Sequence, residues 1–77
     1  MKTVVSVIGK DAVGIFAAVS AVCAECGANI VDITQSVLQD MFVMVMLTEI
    51  SGLNCTFNEY ADKIKAVGVG RGLDIRV

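Results

Sequence analysis

Histidine is absent from this 77-residue chain, and so are proline and tryptophan. Without histidine, the chain has no imidazole to act as a general acid or base, and it cannot form a mixed cysteine–histidine zinc site. A serine nucleophile would also lack a histidine base. The acidic side chains Asp32, Asp40 and Glu49 are scattered along the sequence and do not form the carboxylate pair typical of many hydrolases. The sequence therefore predicts a protein that is not an enzyme.

Charged residues are scarce and hydrophobic residues are in excess. Charged residues make up 18% of the chain and the net charge is −2, whereas a nucleic-acid-binding protein needs a basic surface that neutralises phosphates. Hydrophobic residues make up 56% of the chain, which is more than one small core can bury. Disordered chains are poor in apolar residues. We therefore expect a folded domain that does not bind nucleic acid and whose excess apolar surface is covered by another chain.

No hydrophobic run has the length of a membrane span, which requires about 20 apolar residues. The longest runs cover residues 12–24 and 41–47, and we expect a cytoplasmic protein. The three cysteines are an odd number without a secretory signal, which indicates free thiols. Cys23 and Cys26 have the spacing of a redox or metal motif, but they fall at the end of a predicted helix, where the dipole disfavours thiolates. We interpret them as buried apolar side chains and expect neither a metal site nor a cofactor.

Hydrophobic periodicity predicts six elements in the order β-α-β-β-α-β. The predicted strands are Lys2–Ile8, Asn29–Gln39, Met41–Ile50 and Leu73–Val77. The first predicted helix runs from Gly14 to Cys26, with Asp11 as its N-cap and Gly27 as its stop. The second begins at a Thr56–Glu59 capping box and ends at Gly68. Right-handed crossovers then place both helices on one face of a four-stranded antiparallel sheet, an α+β, ferredoxin-like fold in one domain over residues 1–77.

Two faces of this predicted fold lack the polar residues that a solvent-exposed surface normally carries. The outward face of the first helix is small and uncharged, with Ala17, Ser20, Ala21 and Ala24. The third strand is apolar on both faces, although a sheet with helices on one side should alternate apolar and polar residues. The second strand is expected at the edge of the sheet, where unpaired backbone groups can dock a second copy. We therefore predict a homo-oligomer, a dimer or higher.

A candidate ligand site combines two segments, Gly9–Ile15 and Gly27–Ile30. Glycine at position 14 lets the backbone approach a ligand, and the amides near Val13 and Gly14 would attract a carboxylate. Asp11 could accept a hydrogen bond from an ammonium group, and Asn29 offers both a donor and an acceptor. This set matches the zwitterionic end of a free amino acid. The same residues also have structural explanations, as an N-cap, a packing glycine and a turn residue, and the spacing leaves both open.

Several motifs resemble the ACT-domain superfamily along nearly the whole chain. They are VxGKDxxGI at the end of the first strand, AExGxNI over Ala24–Ile30, DIxQ from Asp32, FxMxM from Phe42, and GLDIRV at the end. More narrowly, the chain resembles the small stand-alone prokaryotic members, which are related to the ACT modules of the glycine cleavage system transcriptional repressor. The resemblance implies a regulatory βαββαβ module that binds an amino acid at a subunit interface.

Carried over by position, the resemblance implies ligand contacts from Asp11 and Gly14 in the loop before the first helix, and from Asn29 and Ile30 at the start of the second strand. Serine-sensing ACT modules have a histidine where this chain has Gly9, so serine specificity is not implied. The favoured hypothesis is a small regulatory module that binds a free amino acid at a homodimer interface and modulates an unidentified partner protein. The alternatives are a structural dimerisation domain with no ligand and, more remotely, a thiol or metal protein using Cys23 and Cys26.

Overall fold

The computed structural model describes residues 1–10 and 13–77, and its elements follow the order β-α-β-β-α-β. The strands are β1 (Lys2–Gly9), β2 (Asn29–Leu38), β3 (Met41–Glu49) and β4 (Asp74–Arg76), and the helices are α1 (Ile15–Cys26) and α2 (Phe57–Gly68). The strands form one antiparallel sheet in the order β2-β3-β1-β4. The predicted ferredoxin-like fold is confirmed, and β2 lies at an edge as expected.

The core lies between the two helices and one face of the sheet. Alternate residues of the central strands point into it, so that Val5 and Val7 of β1 and Met44 and Met46 of β3 have no exposed surface. The helices contribute Ile15, Val19, Cys23, Cys26, Tyr60 and Ile64. The residues that alternate with these along β1 and β3, such as Val4 and Val45, point away from the helices. Among the described residues, no helix has the length and apolar character needed to cross a membrane.

Helix α1 is bounded by two glycines with left-handed backbones. The N-cap is Gly14, with φ 73°, and the C-cap is Gly27, with φ 81°. The predicted N-cap at Asp11 is wrong, because the helix begins only at Ile15; Asp11 itself lies outside the described residues. The predicted stop at Gly27 is confirmed, since only glycine adopts this conformation without steric cost.

Helix α2 begins at the predicted capping box. The Thr56 hydroxyl accepts a hydrogen bond from the Glu59 amide at 3.1 Å, and the Glu59 carboxylate accepts one from the Thr56 amide at 3.2 Å. Further along α2, the buried Tyr60 hydroxyl donates to Thr48 Oγ1 at 3.2 Å, and Thr48 Oγ1 in turn donates to the carbonyl of Thr3 at 3.3 Å. These bonds join α2 to β3 and β1 inside the core, where an unpaired hydroxyl would be costly.

The edge strands deviate from the predicted pattern. β2 contains a β-bulge between Ile30 and Asp32, which leaves Val31 half-exposed at the edge of the sheet. β4 is shorter than predicted, because Leu73 does not join the ladder. Its side chain packs against the core in the space beside Gly9, which has no side chain of its own. The hairpin between β2 and β3 turns at Gln39 and Asp40, as predicted.

Candidate functional site

The loop between β1 and α1 presents open backbone at Gly14. Apart from its two chain neighbours, no described residue has a heavy atom within 4 Å of a Cβ atom placed on Gly14, so the described part of the chain leaves space beside this residue. Val13, immediately before it, is 86% exposed. Asp11, the predicted ammonium acceptor, lies outside the described residues. The structure therefore places two of the three predicted loop residues at an accessible turn.

The N-terminus of α1 has the electrostatic character of an anion site. The first hydrogen bond of the helix runs from the Ala18 amide to the Gly14 carbonyl at 3.0 Å. The amides that precede Ala18 in the first turn have no carbonyl of the helix to bind. Within the described part of the chain, no side chain caps this turn and no acidic residue lies in it. Among the described residues nothing compensates the positive end of the helix dipole, which favours a bound carboxylate.

The loop that follows β3 caps the C-terminal end of α1 with hydrogen bonds. The Asn54 amide donates to the Cys26 carbonyl at 2.9 Å, and Asn54 Nδ2 donates to the Glu25 carbonyl at 2.8 Å. The Ala28 amide donates to the Cys23 carbonyl at 2.8 Å. These bonds satisfy the last carbonyls of the helix and fix the direction in which the chain enters β2. Asn29 is the first residue of β2 and therefore has a defined position.

Asn29 and Ile30 occupy different faces of the edge strand. Asn29 is exposed, pairs in register with Glu49, and its side chain makes no hydrogen bond to another described residue. Its amide is therefore available to a ligand or to a second chain at the sheet edge. Ile30 is half-buried and packs against the core, so its backbone rather than its side chain would face a ligand.

The carboxylate of Glu49 forms an ion pair with the N-terminal ammonium at this corner of the sheet. It accepts hydrogen bonds from the N-terminal ammonium at 2.8 Å and from the Ser51 amide at 3.0 Å. These bonds, chiefly the one from the ammonium, lower the pKa of Glu49 to about 2. The carboxylate therefore stays ionised at every pH at which the protein would function.

The two halves of the predicted site lie at opposite ends of α1 and cannot meet within one chain. Gly14 precedes the helix and Asn29 follows it, and the helix has 12 residues. At 1.5 Å per residue this separates them by about 18 Å, several times the span of the polar end of an amino acid. One chain by itself therefore does not bring the predicted site residues together.

Two residues near the site were not singled out from the sequence. Phe16, in the first turn of α1, is 43% exposed and borders the open backbone at Gly14. Its position on a helical wheel, one residue after the buried Ile15, could have indicated this. Asn54 could not have been found, because its role depends on a contact with a helix that lies far away in sequence.

The cysteines occupy the core, as predicted, and not the candidate site. Cys23 and Cys26 are buried, and burial raises the pKa of both thiols. Thiolate chemistry is thereby disfavoured. No cluster of three potential metal ligands occurs among residues 1–10 and 13–77. A shallow apolar groove of about 410 Å³ lies elsewhere, lined by Met1, Lys2, Thr3, Ile50 and Phe57.

Comparison with known proteins gives a consistent result. Residues 2–68 match the ACT domain family. The chain is 40% identical over 77 residues to a UPF0237 protein of Clostridium acetobutylicum, covering 100% of this chain and 86% of the relative. It is 43% identical over 77 residues to a UPF0237 protein of Listeria monocytogenes, covering 100% and 82%. An ACT domain protein from Streptococcus pneumoniae superposes with a TM-score of 0.82 at 37% identity, covering 99% of this chain and 85% of the other.

Proposed function

The chain belongs to the ACT-domain family, and from this premise we propose that it binds a free amino acid at a homodimer interface and thereby regulates a partner protein. ACT domains are generally small regulatory modules that bind ligands. The observation that carries the proposal is the separation of Gly14 from Asn29 by the length of α1. The amides of the first turn of α1 and the Asn29 side chain are polar groups of the kind that an amino acid needs, and a second chain would bring them together.

The outer surface of α1 suits this arrangement. Ala17, Ala21 and Ala24 are exposed, and small side chains allow two helices to approach closely. In a pair of antiparallel helices related by a twofold axis near Ser20 and Ala21, the N-terminus of each α1 lies beside the start of β2 in the other subunit. The dimer then has two equivalent sites.

In each proposed site the ligand carboxylate binds the free amides of the first turn of α1 beside Gly14. Asn29 of the partner subunit contacts the ligand from the other side, and Asp11 binds its ammonium group. Because both chains contribute, ligand binding and dimerisation stabilise each other. The module acts by binding, and the regulatory signal is the change in dimer stability or geometry that a partner protein senses.

A thermal-shift screen of the twenty amino acids at millimolar concentration tests the proposal. A ligand at a hundred times its dissociation constant should stabilise the folded protein by about 2.7 kcal/mol. Asn29→Ala should abolish this shift and keep the fold, because Asn29 is exposed. Asn58→Ala, at an exposed position of α2, is the matched control and should retain the shift. Gly14→Val should block the ligand by filling the open space at the loop.

The interface has its own test. Ala21→Lys places a charge at the centre of the proposed helix pair and should weaken dimerisation, whereas Ala66→Lys, on an exposed part of α2, should not. If no amino acid stabilises the protein but Ala21→Lys still weakens association, the chain is a structural dimerisation domain without a ligand. If neither effect occurs, the proposed arrangement is wrong.

A further inference from the structure

Two cysteines from distant parts of the sequence lie together where the C-terminal end of α1 meets the loop before α2. Cys26 is the last residue of α1 and has no exposed surface. Cys55 lies in the loop between β3 and α2 and is half-buried against the same core. Both are free thiols. The proposed amino-acid site uses neither of them, so the pair is available for a separate role.

Hydrogen bonds that do not involve sulfur hold the two cysteines beside each other. The Asn54 amide, one residue before Cys55, donates to the Cys26 carbonyl at 2.9 Å. Asn54 Nδ2 donates to the Glu25 carbonyl at 2.8 Å, which ties the same loop to the preceding residue of the helix. A further link joins the two helices, from Lys63 Nζ to Glu25 Oε1 at 3.2 Å. The backbones that carry the two thiols are therefore fixed relative to each other.

The thiols of Cys26 and Cys55 interact with each other directly. Burial and then the hydrogen bond between the two thiols raise the pKa of Cys26, and the nearby charge of Lys63 only partly opposes this. Cys26 therefore stays protonated at neutral pH. Thiols that share a hydrogen bond point towards each other, which is the orientation that a disulfide needs.

The sequence spacing of Cys23 and Cys26 suggests a different pair, which the structure does not favour. The sulfur of Cys23 lies 3.6 Å from the hydroxyl of Tyr60, and this buried hydroxyl also donates to Thr48 Oγ1 at 3.2 Å. Cys23 is thus engaged inside the core, whereas Cys26 contacts Cys55. Two thiols supply only half of the ligands of a structural zinc ion, and the described ranges 1–10 and 13–77 hold no cluster of three potential ligands.

We propose that Cys26 and Cys55 form a reversible disulfide and that Cys55 is the site at which hydrogen peroxide oxidises the protein. Cys55 is partly exposed and Cys26 is not, so an oxidant in solution reaches Cys55, and Cys26 reacts only with Cys55. In the first step the Cys55 thiolate attacks the peroxide. An S–O bond forms, the O–O bond breaks, and the departing hydroxide takes up a proton to become water, which leaves a sulfenic acid.

In the second step the Cys26 thiol attacks the sulfur of the Cys55 sulfenic acid. The S–S bond forms, the S–O bond breaks, and the departing hydroxide leaves as water with the proton of Cys26. Overall, two thiols are oxidised to one disulfide and one hydrogen peroxide is reduced to two waters. A thiol reductant reverses the reaction by thiol–disulfide exchange.

The disulfide would clamp the end of α1 to the loop after β3. Cys26 is separated from the start of β2 at Asn29 only by Gly27 and Ala28, so the clamp would fix the corner from which the edge strand begins. The closed loop would span residues 26–55, and a cross-link of this length restricts the unfolded chain. The oxidised protein should therefore be more stable than the reduced protein, whether or not an amino acid binds.

Treatment of the folded, reduced protein with hydrogen peroxide tests the proposal. A protease that cleaves after glutamate separates the three cysteines, because Glu25 and Glu49 lie between them. Mass spectrometry without reductant should find the fragments that carry Cys26 and Cys55 joined, and the fragment that carries Cys23 free. Oxidation should also raise Tm by at least about 8 °C, and a dithiol reductant should reverse both changes.

Three variants assign the roles of the thiols. Cys55→Ser, at a half-buried position, should keep the fold and lose both the cross-link and the rise in Tm. In Cys26→Ala the second thiol is missing, so Cys55 should accumulate as a sulfenic acid that a cyclic diketone probe labels. Cys23→Ala is the matched control, because it removes the other buried thiol of α1, and it should still form the disulfide.

The result with the unmodified chain and with Cys55→Ser decides the proposal even if Cys26→Ala does not fold. Three unreacted thiols in the folded protein would overturn the proposal. A disulfide between Cys23 and Cys26, or a Cys55 disulfide between two chains on a denaturing gel without reductant, would overturn the proposed pairing. Oxidation of Cys55 to a sulfinic acid without any disulfide would show that Cys26 does not reach it.

Discussion

Replacing Gly27 with alanine should destabilise the protein more than the same replacement at Gly14. Both residues have a positive φ, 81° and 73°, and an L-residue in this conformation costs about 1–2 kcal/mol. The surroundings differ. Among the described residues beyond its chain neighbours, a Cβ on Gly14 would meet no heavy atom within 4 Å, whereas a Cβ on Gly27 would lie 2.5 Å from the carbonyl oxygen of Gly52.

The difference between the two variants measures the contact of α1 with the loop after β3. The Gly52 carbonyl belongs to the backbone, and Asn54 ties the same loop to the end of the helix. Relieving the overlap therefore requires a backbone shift, and overpacking of this kind costs about 1–3 kcal/mol. We expect a loss of about 1–2 kcal/mol for Gly14→Ala and about 2–5 kcal/mol for Gly27→Ala. For a domain of this size each kcal/mol lowers Tm by about 4–8 °C.

Denaturant unfolding followed by circular dichroism, at one fixed protein concentration, measures these losses. Gly70→Ala is the control, because Gly70 also has a positive φ, 79°, and open space around its missing Cβ. It should behave like Gly14→Ala. Equal losses for Gly27→Ala and the other two variants would refute the reasoning, because the backbone conformation alone would then account for all three.

Three further predictions concern titratable groups. Burial raises the pKa of Tyr60 to about 12. The contribution of this hydroxyl to stability is therefore complete below its pKa in the unfolded chain, near 10, and declines as the pH rises through about 12. Tyr60→Phe should lack this decline in alkaline unfolding curves. The pKa of Glu49 is lowered to about 2. The stability that this carboxylate contributes should therefore fall as the pH drops from about 4.5 towards 2. Glu49→Gln should remove this part of the pH dependence in acid titrations. With an aromatic disulfide reagent, Cys55, which is half-buried, should react first, and Cys23 and Cys26 should react only on unfolding; three equally fast thiols would contradict the core described above.

The fold could be predicted because the hydrophobic pattern of most elements has a single interpretation. Helix α2 begins and ends where its capping box and Gly68 indicated. In α1 the predicted burial of Cys23 and Cys26 is confirmed, and Val22 is half-buried against the same core. Cys23 points towards α2, where its sulfur lies 3.6 Å from the hydroxyl of Tyr60, and a helical wheel carries no information about a neighbouring helix.

The irregular parts of the edge strands were not predicted, although one of them had a signal. Ile30 and Ile33 both pack on the core, three residues apart, because the bulge at Val31 inserts an extra residue. The run Ile-Val-Asp-Ile breaks strict alternation and is compatible with such a bulge. The early end of β4 had no comparable signal, since it depends on the space beside Gly9 that Leu73 fills.

The candidate site was only partly predictable for the same reason. The sequence identifies Gly14 and Asn29 as candidate ligand contacts. The predicted length of α1 already indicates that they lie far apart in one chain. The position of the Asn29 side chain depends on the register with Glu49. The prediction for Asp11 as a ligand contact remains a prediction, since this residue lies outside the described residues.

The placement of α1 between two sites has a consequence for how such a dimer would respond to its ligand. In the proposed dimer the N-terminus of each helix would belong to one site, and Gly27, at its other end, leads directly into the strand that would contribute to the second. A rigid helix that shifts along its axis when its first turn binds a carboxylate carries that shift to the other site. Occupancy of one site would then alter the affinity of the other, and the binding curve of the dimer would have a Hill coefficient different from one.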